Sequence, residues 1–191
     1  MKHTSGLSIT LAAIGVLSGC AIFEPGAKKD PPTSVSVAEL SQGYALLYDL
    51  ASKEKRASLL SIIKKESPEL KSLLERVSET SKTTAKELET LAKLDPPLNL
   101  KVTHLPRIEE AARESIDKET SKGILQSEGV HLEFNMVSSQ LAGMNYAAHL
   151  ARSLAAVEPN PQRKEFLQRT ARKFSDLHRQ VYNMLYARYQ R

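Results

Sequence analysis

The chain has 191 residues, with 27 Lys or Arg against 22 Asp or Glu and a formal net charge of +5. That length suits one domain with its own core, since a domain near 150 residues already hides about two-thirds of its unfolded surface. At 41% apolar and 26% charged it is too hydrophobic for wholesale disorder, and a single cysteine excludes a disulfide framework, a CxxC pair and a cysteine zinc site.

The first twenty residues read as an address. Lys2 and His3 precede an apolar run from Leu7 to Val16, followed by Leu17-Ser18-Gly19-Cys20. This is the layout of a secretory signal, and the run is too short to remain as a membrane-spanning helix. The last four residues resemble the lipobox of bacterial lipoproteins at every position. The resemblance implies a signal peptide over residues 1–19, cleavage before Cys20, a thioether-linked diacylglycerol on its sulfur and an acyl group on the new amine. The alternatives are a plain signal with a chance cysteine and a buried cysteine in a first helix. No later segment approaches the roughly 20 apolar residues that a spanning helix needs. Ala21 follows the cysteine where enterobacterial lipoproteins kept in the inner membrane carry an aspartate. By the same resemblance the expected place is the outer membrane, facing the periplasm.

Residues 20–35 read as the acylated cysteine and a flexible tether, with Pro25, Gly26, Pro31 and Pro32 and no apolar periodicity. About 15 such residues reach roughly 20 Å. A helical domain over residues 36–191 would then sit close to the lipid.

Helix 1 is expected over about 36–65. Ser36-Val37-Ala38-Glu39 has the spacing of a capping box, and Val37, Leu40, Tyr44, Leu47 and Ala51 recur at helical intervals. Ser67-Pro68-Glu69 starts helix 2, whose seam of Leu70, Leu74, Val77, Ser81, Thr84, Leu88 and Leu91 ends at Asp95-Pro96-Pro97. Residues 96–105 form the longest connection. Arg107 to Lys118 reads as a short flanking helix, interrupted by Thr120, Ser121 and Gly123. Helix 3 is expected over about 125–157, with an inward seam of Val130, Phe134, Val137, Leu141, Met144, Ala148, Ala151 and Ala155 in strict 4-3 alternation. Asn160-Pro161 caps helix 4, which points Leu167, Thr170, Phe174, Leu177, Val181 and Met184 inward. The expected fold is all-α: a four-helix bundle with a short extra helix between helices 2 and 3. No internal repeat stands out.

Two helix starts, Glu66-Ser67-Pro68-Glu69-Leu70-Lys71 and Asn160-Pro161-Gln162-Arg163-Lys164-Glu165-Phe166, resemble the "pro-glu-leu-lys" starts of a group of ferritin-like bacterial envelope proteins of unknown function. His178 falls where that group often carries a histidine in its last helix. The resemblance covers about residues 36–190 and implies a ferritin-like fold in the cell envelope. It brings no activity with it.

A ferritin-like di-iron site needs a Glu from each of two helices and a Glu-x-x-His from each of the other two. One such spacing occurs, Glu128 to His131, and the expected core seams hold no carboxylate. Glu128 also reads as a helix-start carboxylate favoured by the macrodipole. His104, His131, His149 and His178 are scattered, and no glycine-rich phosphate loop occurs. The sequence therefore points to no catalytic residue, no metal and no cofactor beyond the lipid on Cys20.

Charge is concentrated at the C-terminus. From Asn160 onward Arg163, Lys164, Arg169, Arg172, Lys173, Arg179, Arg188 and Arg191 face only Glu165 and Asp176, and Tyr182, Tyr186 and Tyr189 cluster near the end. Such a helix suits anionic lipid or another acidic envelope polymer. It equally suits a solvated outer face. A secreted, anchored chain is not expected to meet nucleic acid. The leading expectation is a non-catalytic envelope lipoprotein with a structural or interaction role, partnered by the membrane and by an envelope protein or an anionic polymer. A ferritin-like metal or redox protein and an anionic-component binder are its rivals.

Overall fold

The computed structural model describes residues 35–55, 67–101 and 105–189. The chain divides into two units, Met1–Pro31 and Pro32–Arg191, and every described residue belongs to the second. The signal, Cys20, nearly all of the tether, the last part of the expected first helix, His104 and Arg191 lie outside the described residues.

Among the described residues are five helices and no strand: α1 (Val37–Glu54), α2 (Pro68–Leu91), α3 (Arg107–Gln126), α4 (Gly129–Val157) and α5 (Pro161–Tyr189). The domain is all-α. The capping chemistry is local and specific. Ser36 Oγ accepts from the Glu39 backbone N–H at 3.2 Å, while the Glu39 carboxylate accepts from the Ser36 N–H at 2.9 Å, so two otherwise free donors are satisfied. Ser67 Oγ faces the Leu70 N–H with Pro68 in the first helical turn. Asn160 Oδ1 accepts from the backbone of Gln162 at 3.0 Å and of Arg163 at 3.1 Å, starting α5.

Side-chain pairs give the register. Tyr48 meets Glu89 and Ser78 meets the Lys55 carbonyl, so α1 and α2 run antiparallel. Arg76 to Gln180 and Glu87 to Arg169 make α2 and α5 antiparallel. Gly43 lies under Leu154 and Gly143 under Glu54, so α1 and α4 are antiparallel as well. Arg152 to Ser175 pairs α4 with α5 after their three-residue turn, and this is the most extensive helix pairing. Four helices thus close a ring around a common core. α3 runs antiparallel to α4, through Arg113 to Tyr146 and Asn135 to Gly123, and carries the chain back along the bundle.

Leu47, Leu74, Val77, Leu88, Met144, Leu167 and Phe174 are all within 1% of complete burial and form the centre of the core. Ser81, Thr84 and Thr170 are buried beside them, as the seams of helices 2 and 4 suggested. Four expectations are corrected. The connecting helix is 20 residues long, not short, and Thr120, Ser121 and Gly123 do not break it. A glycine costs about 1 kcal/mol in a helix. Here Ile124 is buried, and Asn135 Nδ2 donates to the Gly123 carbonyl at 3.3 Å, so tertiary contacts hold that turn. The following helix consequently starts at Gly129, four residues later than expected.

The third correction concerns Val130 and Phe134, which were expected inside and are 81% and 42% exposed. A straight α-helix drifts about 20° per heptad from a strict seven-residue repeat, so about 60° over the three heptads from Val130 to Ala151. The buried stripe of α4 therefore begins at Leu132 and Met136. Fourth, the core does hold charge. Glu158 is 3% exposed and Arg163 is wholly buried.

Candidate functional site

The basic α5 helix divides into residues committed to the fold and residues left to solvent. Arg163 is no surface cation. Its Nε donates to Glu158 Oε1 at 3.1 Å and its Nη1 to the Pro96 carbonyl at 2.9 Å. Arg169 lies between Glu87 (2.9 Å) and Glu165 (3.3 Å), and Arg179 pairs with Asp176 at 2.6 Å. Arg188 pairs with Glu133 and donates to Ser67 Oγ at 2.7 Å. Lys164, Arg172 and Lys173 are exposed, and none of them forms an ion pair among the described residues. Arg172 shares with Arg152, Gln168 and Ser175 an open groove of about 610 Å³ between α4 and α5. Tyr182 and Tyr186 are both exposed and stack at 6.3 Å with planes 11° apart.

The weak metal candidates are not in the core. Glu128 precedes the first residue of α4 and makes no capping bond, and both it and His131 are exposed. His149 is exposed beside Arg152, and His178 is half-buried on α5. Among the described residues no three His, Cys, Asp or Glu side chains gather closely enough to hold a metal ion.

Two Glu–Arg pairs close the two ends of the bundle. At the end where α1 begins, Glu158 accepts from the Tyr44 hydroxyl at 2.7 Å, from Arg163 and from the Asn160 backbone N–H at 2.9 Å. This links α1, the residues after α2 and the α4–α5 turn in one buried knot. Burial and the bond to Glu158 push the Tyr44 hydroxyl far above the ordinary phenol range. At the far end Glu133, which also accepts from the Ser67 N–H at 2.6 Å, joins Arg188 and the start of α2. Only the first of these pairs is wholly buried; Arg188 and Glu133 remain partly exposed.

A third polar cluster opens to solvent. α1, α3 and α4 enclose a groove of about 600 Å³, floored by Leu50, Ile124 and Gly143. Lys53 sits in it between Asp49 (3.1 Å) and Asp117 (2.7 Å). Arg113 pairs with Glu109 at 2.7 Å and lies 5.5 Å over the Tyr146 ring. Half-buried Glu54 has no ion pair among the described residues. Burial pushes its carboxyl above the usual range, while the Gln140 amide bonded to it works in the opposite direction. Gln140 is 5% exposed and its Oε1 has no partner. Sequence reading missed Glu54, Gln140 and Glu158. Gln140 was visible in principle, since Val137, Gln140 and Met144 follow 3-4 spacing as well as Val137, Leu141 and Met144 do.

No helix among the described residues is long and apolar enough to cross a membrane. Comparison with protein-family models, with curated proteins and with solved structures finds no match to this chain.

Proposed function

We propose that this chain is an envelope lipoprotein, anchored through acyl chains on Cys20, whose domain is a four-helix, ferritin-like bundle with a non-catalytic structural or interaction role. The observation that carries the reading is where the buried charge is spent. Glu158 takes three hydrogen bonds and Arg163 ties two segments to it, so the wholly buried ion pair is occupied in holding the fold together. The order of the helices supports the ferritin-like part. α1 and α2 form one antiparallel pair, α4 and α5 another, and α3 returns the chain so that α2 and α4 run parallel. One long crossover between two hairpins is the ferritin-like connection.

Anchoring rests on the lipobox-like Leu17-Ser18-Gly19-Cys20, and Ala21 favours the outer membrane. Two acyl chains, at about 0.8 kcal/mol per buried methylene, hold a protein stably on a bilayer. The test is Cys20→Ala followed by cell fractionation. Release from the membrane fraction, or accumulation of uncleaved precursor, is expected; a processed variant that stays in the outer membrane refutes the reading. One tightly held metal per purified chain would instead promote the ferritin-like redox alternative.

A second reading is favoured by the exposed Lys164, Arg172 and Lys173 and by the groove that Arg172 shares with Arg152. These suit phosphate or carboxylate groups of an anionic envelope component. The stacked tyrosines do not belong to that surface. Tyr182 lies about 30 Å along α5 from Pro161, at 1.5 Å per residue, toward the end opposite the start of α1. Salt-sensitive binding to anionic vesicles, lost on Arg152→Ala/Arg172→Ala, tests this reading.

A further inference from the structure

The groove between α1, α3 and α4 has an electrostatic imbalance that the fold does not use. Its cations are already taken: Lys53 is shared by Asp49 and Asp117, and Arg113 is held by Glu109. Its anions are not. Glu54 is half-buried, has no ion pair among the described residues, and keeps only the Gln140 amide as a donor. Taking a carboxylate out of water without a counter-charge is costly, and a charge kept in such a place is a mark of a binding site. The second observation is independent of charge. Gln140, 95% buried, borders the groove, and its carbonyl oxygen, shielded from solvent, accepts from nothing. Buried acceptors are rarely left unpaired.

Both groups ask for the same partner, a donor carrying positive charge. The backbone is cut to fit them, because a Cβ on Gly143 would stand 2.8 Å from Glu54 Oε1. The surrounding walls are apolar, from Leu46, Leu50, Ile116 and Ile124, with Ser139 and Thr120 as further hydroxyls. No three metal-ligating side chains gather there among the described residues. A bare metal ion would find one carboxylate and an amide oxygen. An alkylammonium finds an acceptor for each of two N–H donors and an apolar bed for its chain. The volume of about 600 Å³ is that of a small-molecule site.

We propose that this groove binds a primary ammonium group on an aliphatic body, its nitrogen held by the Glu54 carboxylate and Gln140 Oε1. The amine is either a free small molecule or a lysine side chain. The proposal does not depend on Cys20, so its failure leaves the anchoring reading untouched.

The test is calorimetric titration of the full purified chain with n-pentylamine, n-pentanol and Nα-acetyl-lysine amide, in parallel with two variants. Pentylamine is expected to bind and pentanol, which lacks the charge, to bind at least ten-fold more weakly. Glu54→Gln removes the charge but keeps the shape, and is expected to weaken pentylamine at least ten-fold without lowering the melting temperature. Gly143→Ala, which displaces the carboxylate, is expected to weaken it too. Affinity should fall as acid protonates Glu54. Asp49, Asp117, Lys53, Arg113 and Tyr146 also line the groove, so the part of the fall that belongs to Glu54 is the part lost in Glu54→Gln. Comparable binding of the lysine amide assigns a lysyl source; binding of pentylamine alone assigns a free amine. No binding of pentylamine at millimolar concentration, or equal binding by Glu54→Gln, overturns the proposal.

Discussion

Arg163→Met removes the guanidinium from the buried knot that joins α1, the residues after α2 and the α4–α5 turn. Removing one member of a buried ion pair costs about 3–5 kcal/mol, because the other charge is left without compensation. Here Glu158 would keep the Tyr44 hydroxyl and the Asn160 N–H, and the Pro96 carbonyl would lose its donor. Two surviving donors place the loss near the lower end, about 3 kcal/mol. For a domain of this size each 1 kcal/mol moves Tm by about 2–4 °C, so the expected fall is roughly 10 °C. Urea denaturation of the purified chain should show a lower midpoint with an unchanged slope. Arg163→Met/Glu158→Gln should recover much of the loss, since no isolated charge then remains. Arg172→Ala, on the exposed face of the same helix, should cost under about 0.5 kcal/mol. Equal losses for Arg163→Met and Arg172→Ala, or no recovery in the double variant, would refute the reasoning.

Tyr44 gives a pH dependence with a definite sign. Its hydroxyl ionises less readily folded than unfolded, so its contribution is fully present below about pH 10 and is lost as pH rises further. Alkaline melts should therefore show a steepening loss that Tyr44→Phe reduces, and that variant should cost about 1.5–3 kcal/mol at neutral pH for a bond to a charged acceptor. Phe174→Ala empties a site that is 1% exposed and should cost about 3–5 kcal/mol in urea titrations; Phe134→Ala, at 42% exposure, should cost clearly less. Glu133→Ala, which strips Arg188 and the Ser67 N–H of their acceptor, should loosen the far end, read as faster amide exchange at the start of α2 with little change elsewhere.

The helix-forming logic was legible wherever it was local. Ser36 with Glu39, Ser67 before Pro68, and Asn160 before Pro161 each announce a start through a side chain that reaches its own backbone. Apolar stripes on α2 and α5 were legible because, Arg163 apart, the buried residues there are apolar or hydroxyls. Less was visible where tertiary contacts decide. Gly123 reads as a breaker until Asn135 from α4 is brought against it. Val130 and Phe134 read as core until helical drift is followed over three heptads. Arg163 reads as one more cation in a basic run. Nothing local says that Tyr44, Pro96 and Glu158 converge on it from three parts of the chain. The groove at Glu54 was invisible for the same reason, since its walls come from three helices and its key acceptor sits on a seam read one residue away.

The most direct measurement is the intact mass of the protein's N-terminal peptide after purification from the cell envelope. The account predicts a peptide that begins at Cys20 and carries the added mass of a diacylglycerol, with a further acyl group on its amine. A peptide beginning at Met1 in the mature protein, or one cleaved near Cys20 with a free thiol, would contradict it.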